Sequence, residues 1–142
     1  MAKKVFIDGE IGTTGLQIRE RLQRRDDIRL ISLSEASRKD RAARLAAFAE
    51  ADVSILCLPD AAVHDIAPDL VQMGARVIDA STAHRVDPDW VFGFAEMSKG
   101  QRAAIAGAQR VSNPGCWSTC AIALLRPLVA AGIVDPAHPP AL

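Results

Sequence analysis

Cys116 stands in the run SNPGCWST (112–119), directly after Asn-Pro-Gly and at the start of an apolar helical pattern. Proline disfavours helix in the residue before it, and glycine permits a sharp turn. Cys116 therefore falls in the first turn of the helix that follows. Main-chain N–H groups at a helix start stabilise thiolate over thiol. The same amides, with the Asn113 side chain, could hold an oxyanion. Two readings stay open on these residues alone: a nucleophile made by a helix N-terminus, or a small apolar side chain filling a gap. Cys57, inside an apolar strand pattern, and Cys120, one turn further along the helix, read as buried and inert.

The run DGEIGTTG (8–15) could bind a phosphate. It follows the first strand pattern and opens the first helix, with glycines spaced G-x-x-G-x-x-G. Gly9 permits a tight turn, Gly12 lets a pyrophosphate approach the backbone, and Gly15 lets helix pack on sheet. The helix start offers unpaired N–H groups and a partial positive charge, and Thr13 and Thr14 add hydroxyl donors. Domains that bind NAD place an acid at the end of the second strand to hold the ribose 2′-hydroxyl. Here that strand ends SLSEASRKD (32–40), with Ser34, Ser37, Arg38 and Lys39 near its end. A hydroxyl and two cations suit a 2′-phosphate, so the expected cofactor is NADP; Glu35 is the residue that argues otherwise. In DASTAHR (79–85), Ser81 could touch the nicotinamide and Arg85 could pair with an anionic substrate group. His84 reads as a surface loop histidine, His64 as a helix-surface residue and His138 as part of a linker.

These residues need a scaffold, and the chain alternates strand and helix patterns. KVFID (4–8), IRLIS (28–32), DVSILCL (52–58) and ARVIDA (75–80) are short, apolar and bounded by turn residues. Between them Gly15, Ile18 and Leu22 share one helical face, as do Ala42, Leu45, Phe48 and Ala49, and then Val63, Ile66, Ala67, Leu70 and Val71. Pro68 predicts a kink or restart in the third helix. A helix near 98–107 leads to a strand at RVS (110–112). The last helix, about 116–131, should bury Ala121, Leu124, Leu125, Leu128 and Val129. The alternation predicts an α/β fold, a doubly wound parallel sheet of Rossmann-like type. Such a sheet gathers its ligands at the carboxyl ends of its strands.

Composition sets the outer bounds. The 142 residues make one typical domain, 49% hydrophobic and only 4% aromatic, as buried parallel strands under helices require. Seventeen basic residues balance seventeen acidic ones, which gives no footprint for nucleic acid or an anionic membrane. The longest apolar stretch is broken by Arg126 and Pro127, and MAKKVFIDGE holds no apolar signal segment. Three cysteines without an export signal point to the cytoplasm, and three scattered histidines give no basis for a metal site. The Pro-rich VDPAHPPAL (134–142) reads as a linker, as if a longer chain had been cut there.

Together the glycine loop, LPD (58–60), DASTAHR, FGFAE (92–96) and SNPGCWST resemble the N-acetyl-γ-glutamyl-phosphate reductases of arginine biosynthesis, which belong with the semialdehyde dehydrogenases. Asn-Pro-Gly-Cys-aromatic-x-Thr is the specific part. Aspartate-semialdehyde dehydrogenases are similar in layout but usually lack that glycine and aromatic. The resemblance implies that Cys116 attacks the acyl phosphate and expels phosphate, and that NADPH reduces the resulting thioester to a semialdehyde. It implies that Gly12, Thr13, Thr14 and Gly15 hold the pyrophosphate, that Ser34 and Arg38 meet the 2′-phosphate, and that Leu58, Pro59 and Ser81 line the nicotinamide side. Arg85 and Asn113 then hold the substrate phosphate or oxyanion. Family members take a catalytic histidine, and their main subunit interface, from a substrate domain after the cysteine helix. Residues 1–142 thus correspond to the nucleotide domain alone, with little or no turnover expected. The alternatives are an aspartate-semialdehyde-type enzyme and a non-catalytic NADP-binding or redox-sensing module.

Overall fold

The computed structural model describes residues 1–138. The last four residues of the predicted linker lie outside the described part. Six parallel strands form one sheet in the order β2-β1-β3-β4-β6-β5: β1 (Lys3–Asp8), β2 (Ile28–Ile31), β3 (Val53–Leu56), β4 (Val77–Asp79), β5 (Val91–Phe92) and β6 (Arg110–Ser112). The helices are α1 (Thr13–Leu22), α2 (Arg41–Glu50), α3 (Asp60–Gln72), α4 (Gln101–Gly107) and α5 (Cys116–Ala130). β1 to β4, β6 and the helices between them fall where the sequence patterns put them. β5 is a two-residue edge strand that no pattern announced; it pairs Val91 with Val111 and Phe92 with Ser112.

The winding reverses at β1. β2 pairs on one side of it, with Val5 opposite Leu30, and β3 on the other, with Val5 opposite Val53. A crevice therefore opens at the carboxyl ends of β1 and β3, between the loops that follow them. The core lies under α2 and α3, where Phe48, Leu56, Val63 and Ile66 are almost wholly buried. Each contributes roughly 1.5–3 kcal/mol relative to an exposed side chain. Phe6 and Phe48 meet edge to face at 5.0 Å. Asp40 caps α2 by accepting from the Ala43 amide at 2.7 Å. α3 runs through Pro68 as one helix, so of the kink or restart expected there the restart does not occur.

α5 departs from expectation. Its predicted core face is not buried: Leu124 is 67% exposed, Leu128 and Val129 are exposed, and Trp117 is 87% exposed. Helical periodicity identifies an apolar face but not what covers it, and among the described residues α5 has no buried residue. For the same reason Cys120, read as buried, is exposed. Among the described residues no helix is long and apolar enough to cross a membrane.

Candidate active site

The glycine loop is built as its spacing requires. Gly9 has φ +89°, and a Cβ there would run into the main-chain carbonyl of Cys57. Gly15 is buried against the loop itself, where a Cβ would lie 2.8 Å from the Glu10 Cα. At Gly12, the N-cap of α1, a Cβ would meet only the Gly9 carbonyl oxygen, at 3.4 Å. No side chain caps α1, and among the described residues the Thr13 and Thr14 amides have no main-chain acceptor. Free amides at an open helix start fit a pyrophosphate.

Two hollows flank this loop. One, of about 500 Å³, is lined by Gly9, Glu10 and Ile11, by Leu33 and Leu58, and by the cations Arg38, Lys39 and Arg44. The other, of about 410 Å³, lies between Gly12, Thr13 and Thr14 on one side and Cys57, Leu58, Pro59 and Ala80 on the other. Leu58 thus faces both, and Pro59 is the N-cap of α3. Arg38 reaches the first hollow while pairing with the exposed Glu35 at 3.1 Å. Ser34 points its hydroxyl to Ser37, at 2.6 Å, and is not among the residues of the wall. Arg44 was missed by sequence reading. Its Nη2 donates at 2.7 Å to Asp8, buried at the end of β1. Nothing local in the sequence joins residues 36 positions apart, although a carboxylate ending a buried strand demands a cation.

The third strand end carries the loop 79–85. Asp79 is fully buried and accepts three hydrogen bonds at 2.8 Å: from the Ser81 amide, the Ser81 hydroxyl and His84 Nδ1. His84 is therefore not the surface histidine expected from its loop position. It is 6% exposed, stacked on Trp90 with ring centroids 4.0 Å apart. An acid ending the strand five residues earlier was the available signal. Ser81, also buried, spends its hydroxyl on Asp79 and on the Ala83 amide, within its own loop. His64 is exposed, as read. At the far side of the loop Asp60 accepts from both the Thr82 hydroxyl and amide, which holds its carboxyl below the usual carboxylate range.

These ties bring Arg85 to the start of α5. Its guanidinium lies against Gly115, the N-cap, where a Cβ would sit 2.5 Å from Nη1. Asn113 donates its amide to the Asp79 carbonyl at 2.7 Å, fixing the turn before the helix. Cys116 is the first residue of α5 and is exposed. Among the described residues the amides of Cys116, Trp117 and Ser118 have no acceptor. A thiol, unpaired amides and a cation thus converge at one helix end. Cys57 contrasts with it: burial first, then the charges of Asp8 and Asp79, push its thiol up to about 11.

A switch-point crevice and a glycine cradle at the carboxyl ends of a parallel sheet define a Rossmann-like nucleotide-binding domain. The sequence matches the family described as semialdehyde dehydrogenase, NAD binding domain, over residues 39–106, just under half of the chain. Such a domain takes a nicotinamide dinucleotide as cofactor. Among curated relatives, the chain is 53% identical over 135 residues to an N-acetyl-gamma-glutamyl-phosphate reductase of Burkholderia ambifaria and 54% identical over 144 aligned positions to that of Brucella ovis. The alignments cover 95% and 98% of this chain but 43% and 45% of the relatives, so the chain spans less than half their length. The fold also matches a structure of aspartate semialdehyde dehydrogenase II complexed with ASA from Vibrio cholerae, at TM-score 0.69 and 20% identity over 92% of this chain and 47% of that one. A structure of aspartate semialdehyde dehydrogenase with NADP from Candida albicans matches at TM-score 0.64 and 18% identity, covering 94% and 48%.

Proposed function

We propose that residues 1–142 form the nucleotide-binding and nucleophile-bearing domain of an NADPH-dependent reductase of N-acetyl-γ-glutamyl phosphate, acting in arginine biosynthesis in the cytoplasm. The observation that carries this reading is Cys116 at the first position of α5, with Arg85 against the preceding glycine. The identity to reductases of that name supports the substrate.

In this reading the Cys116 sulfur attacks the acyl carbon, the C–O bond to phosphate breaks, and a thioester forms. The free amides of α5 and the Asn113 side chain stabilise the negative oxygen that develops on the carbonyl. Arg85 holds the phosphate as it leaves, a charge-assisted contact suited to a planar guanidinium. The dinucleotide, when bound, supplies the hydride that converts the thioester to the aldehyde and frees Cys116. Gly12, Thr13, Thr14 and Gly15 hold its pyrophosphate, with Gly9 shaping the turn. Leu58, Pro59 and the loop of Ser81 would line the nicotinamide side, while Arg38 would meet the 2′-phosphate; Ser34 would reach it only by giving up its bond to Ser37. Arg44 and Lys39 join them on the evidence of the cleft wall. The longer family member is a homo-oligomer in this reading.

The test is the first half-reaction. Incubating the chain with N-acetyl-γ-glutamyl phosphate should leave a hydroxylamine-labile acyl mass on the peptide containing Cys116, absent in Cys116→Ser. β-Aspartyl phosphate serves as the competing substrate. Faster labelling by the aspartyl compound would move the assignment to an aspartate-semialdehyde-type enzyme, and no labelling by either would remove the nucleophile.

A further inference from the structure

The loop from Asp79 to Arg85 is tied down on more sides than a turn of that length requires. Asp79 takes the Ser81 amide and hydroxyl and His84 Nδ1, while its own carbonyl takes the Asn113 amide before Cys116. Asp60 takes Thr82 from the opposite side. His84 is clamped a second time by the face of Trp90, to which its ring is inclined by only 10°. A carboxylate can only accept here, so Nδ1 of His84 is the donor and its proton is committed. A buried carboxylate–imidazole pair seldom stabilises a fold more than apolar side chains of the same volume would. What such a pair fixes is direction. The next residue is Arg85, whose Nε is buried with no partner among the described residues and whose guanidinium lies over Gly115. Among the described residues no carboxylate forms an ion pair with Arg85, and Asp60, itself bonded to Thr82 of the same loop, acts on it only at longer range, so the loop supplies the constraint.

Resting on the reading of Arg85 as the anion contact beside Cys116, we propose that His84, through its bond to Asp79, is a positioning residue that keeps the Arg85 guanidinium over the start of α5 as a fixed cation for a phosphate group. A guanidinium whose stem starts from a mobile loop would sample many rotamers and positions, and each binding event would have to order both. With the loop pinned at Asp79 and Asp60, the point and direction from which the Arg85 stem leaves the main chain are set on folding.

The test compares an anionic with a neutral thiol reagent, a contrast that a merely structural role would not move. Rate constants for iodoacetate and iodoacetamide are measured peptide by peptide, with Cys120 on the same helix as the internal reference. In the unaltered chain the iodoacetate-to-iodoacetamide ratio at Cys116 should exceed that at Cys120 by about three- to tenfold, as one nearby partly screened cation gives. Arg85→Gln should abolish the excess; if it persists, the Arg85 reading fails and this proposal with it. His84→Phe keeps a ring on Trp90 but removes the Asp79 bond, and should also bring the ratio to the Cys120 value. An unchanged ratio in His84→Phe, with Arg85→Gln effective, overturns the positioning role alone. If His84→Phe unfolds, shown by rapid labelling of Cys57, the decision passes to His84→Asn, which restores a donor near the Nδ1 position. A ratio within about twofold of the unaltered chain supports the proposal, and a ratio at the Cys120 value overturns it.

Discussion

The Arg85 guanidinium and Gly115 are in contact: no side chain larger than hydrogen fits at residue 115 while Nη1 stays where it is. The backbone at Gly115 has φ −73° and would accept any residue. The glycine is therefore there for space rather than for conformation. Gly115→Ala should leave the chain folded, with thermal stability reduced by less than about 1 kcal/mol, because the obstruction is a side-chain end rather than main chain, and it should push the guanidinium off its place over the helix start. Inorganic phosphate should protect Cys116 from iodoacetamide in the unaltered chain and fail to do so in the variant. Equal protection in both would show that Arg85 does not serve the anion.

The three glycines of the cradle should separate under substitution. Gly9→Ala meets both a positive φ and the Cys57 main chain, and should cost at least about 2–3 kcal/mol of stability. Gly12→Ala meets almost nothing in the protein, so its unfolding temperature should barely move while binding of the dinucleotide is lost. Thermal unfolding with and without NADPH reads both effects in one experiment.

The cleft wall makes a similar distinction between two arginines. Arg44→Leu leaves Asp8 buried without its partner and should destabilise the chain by about 3–5 kcal/mol. Among the described residues Arg38 pairs only with an exposed glutamate, so Arg38→Ala should leave stability nearly unchanged. It should weaken 2′,5′-ADP by about tenfold or more through loss of a charge-assisted contact, with 5′-AMP little affected. Calorimetric titration of both nucleotides checks this.

Cys57 gives a pH prediction with a definite sign. Its thiol stands at about 11 in the folded chain against an ordinary 9.0, so above pH 9 the folded chain keeps a proton that the unfolded chain loses. Stability should fall as pH rises through that interval and should not depend on this group below it. Denaturant unfolding at pH 8 and pH 10.5 measures the slope, which Cys57→Ala should reduce.

The parts of this domain legible in the sequence are those set by local pattern. β1 to β4 each announce themselves by an apolar run, and the glycine loop by its place between the first strand and the first helix of an alternating chain, since three glycines alone often make only a turn. The cysteine turn was legible because proline and glycine dictate backbone shape within three residues. Contacts made across the sheet were not legible. Arg44 reaches Asp8 over 36 positions, and His84 is buried because Trp90 closes over it. β5 is too short to carry a period, and α5 shows its apolar face plainly while saying nothing of what lies against it.

The central claim is that the start of α5 makes Cys116 a nucleophile. Cys116 and Cys120 are both exposed, on one helix, one turn apart. They differ chiefly in their distance from the free amides and from Arg85. The direct measurement is the iodoacetamide rate at each, resolved by peptide mass at pH 7. Helix-start activation predicts that Cys116 reacts at least about tenfold faster than Cys120. Equal rates would contradict the account and leave Cys116 as a small side chain at a turn.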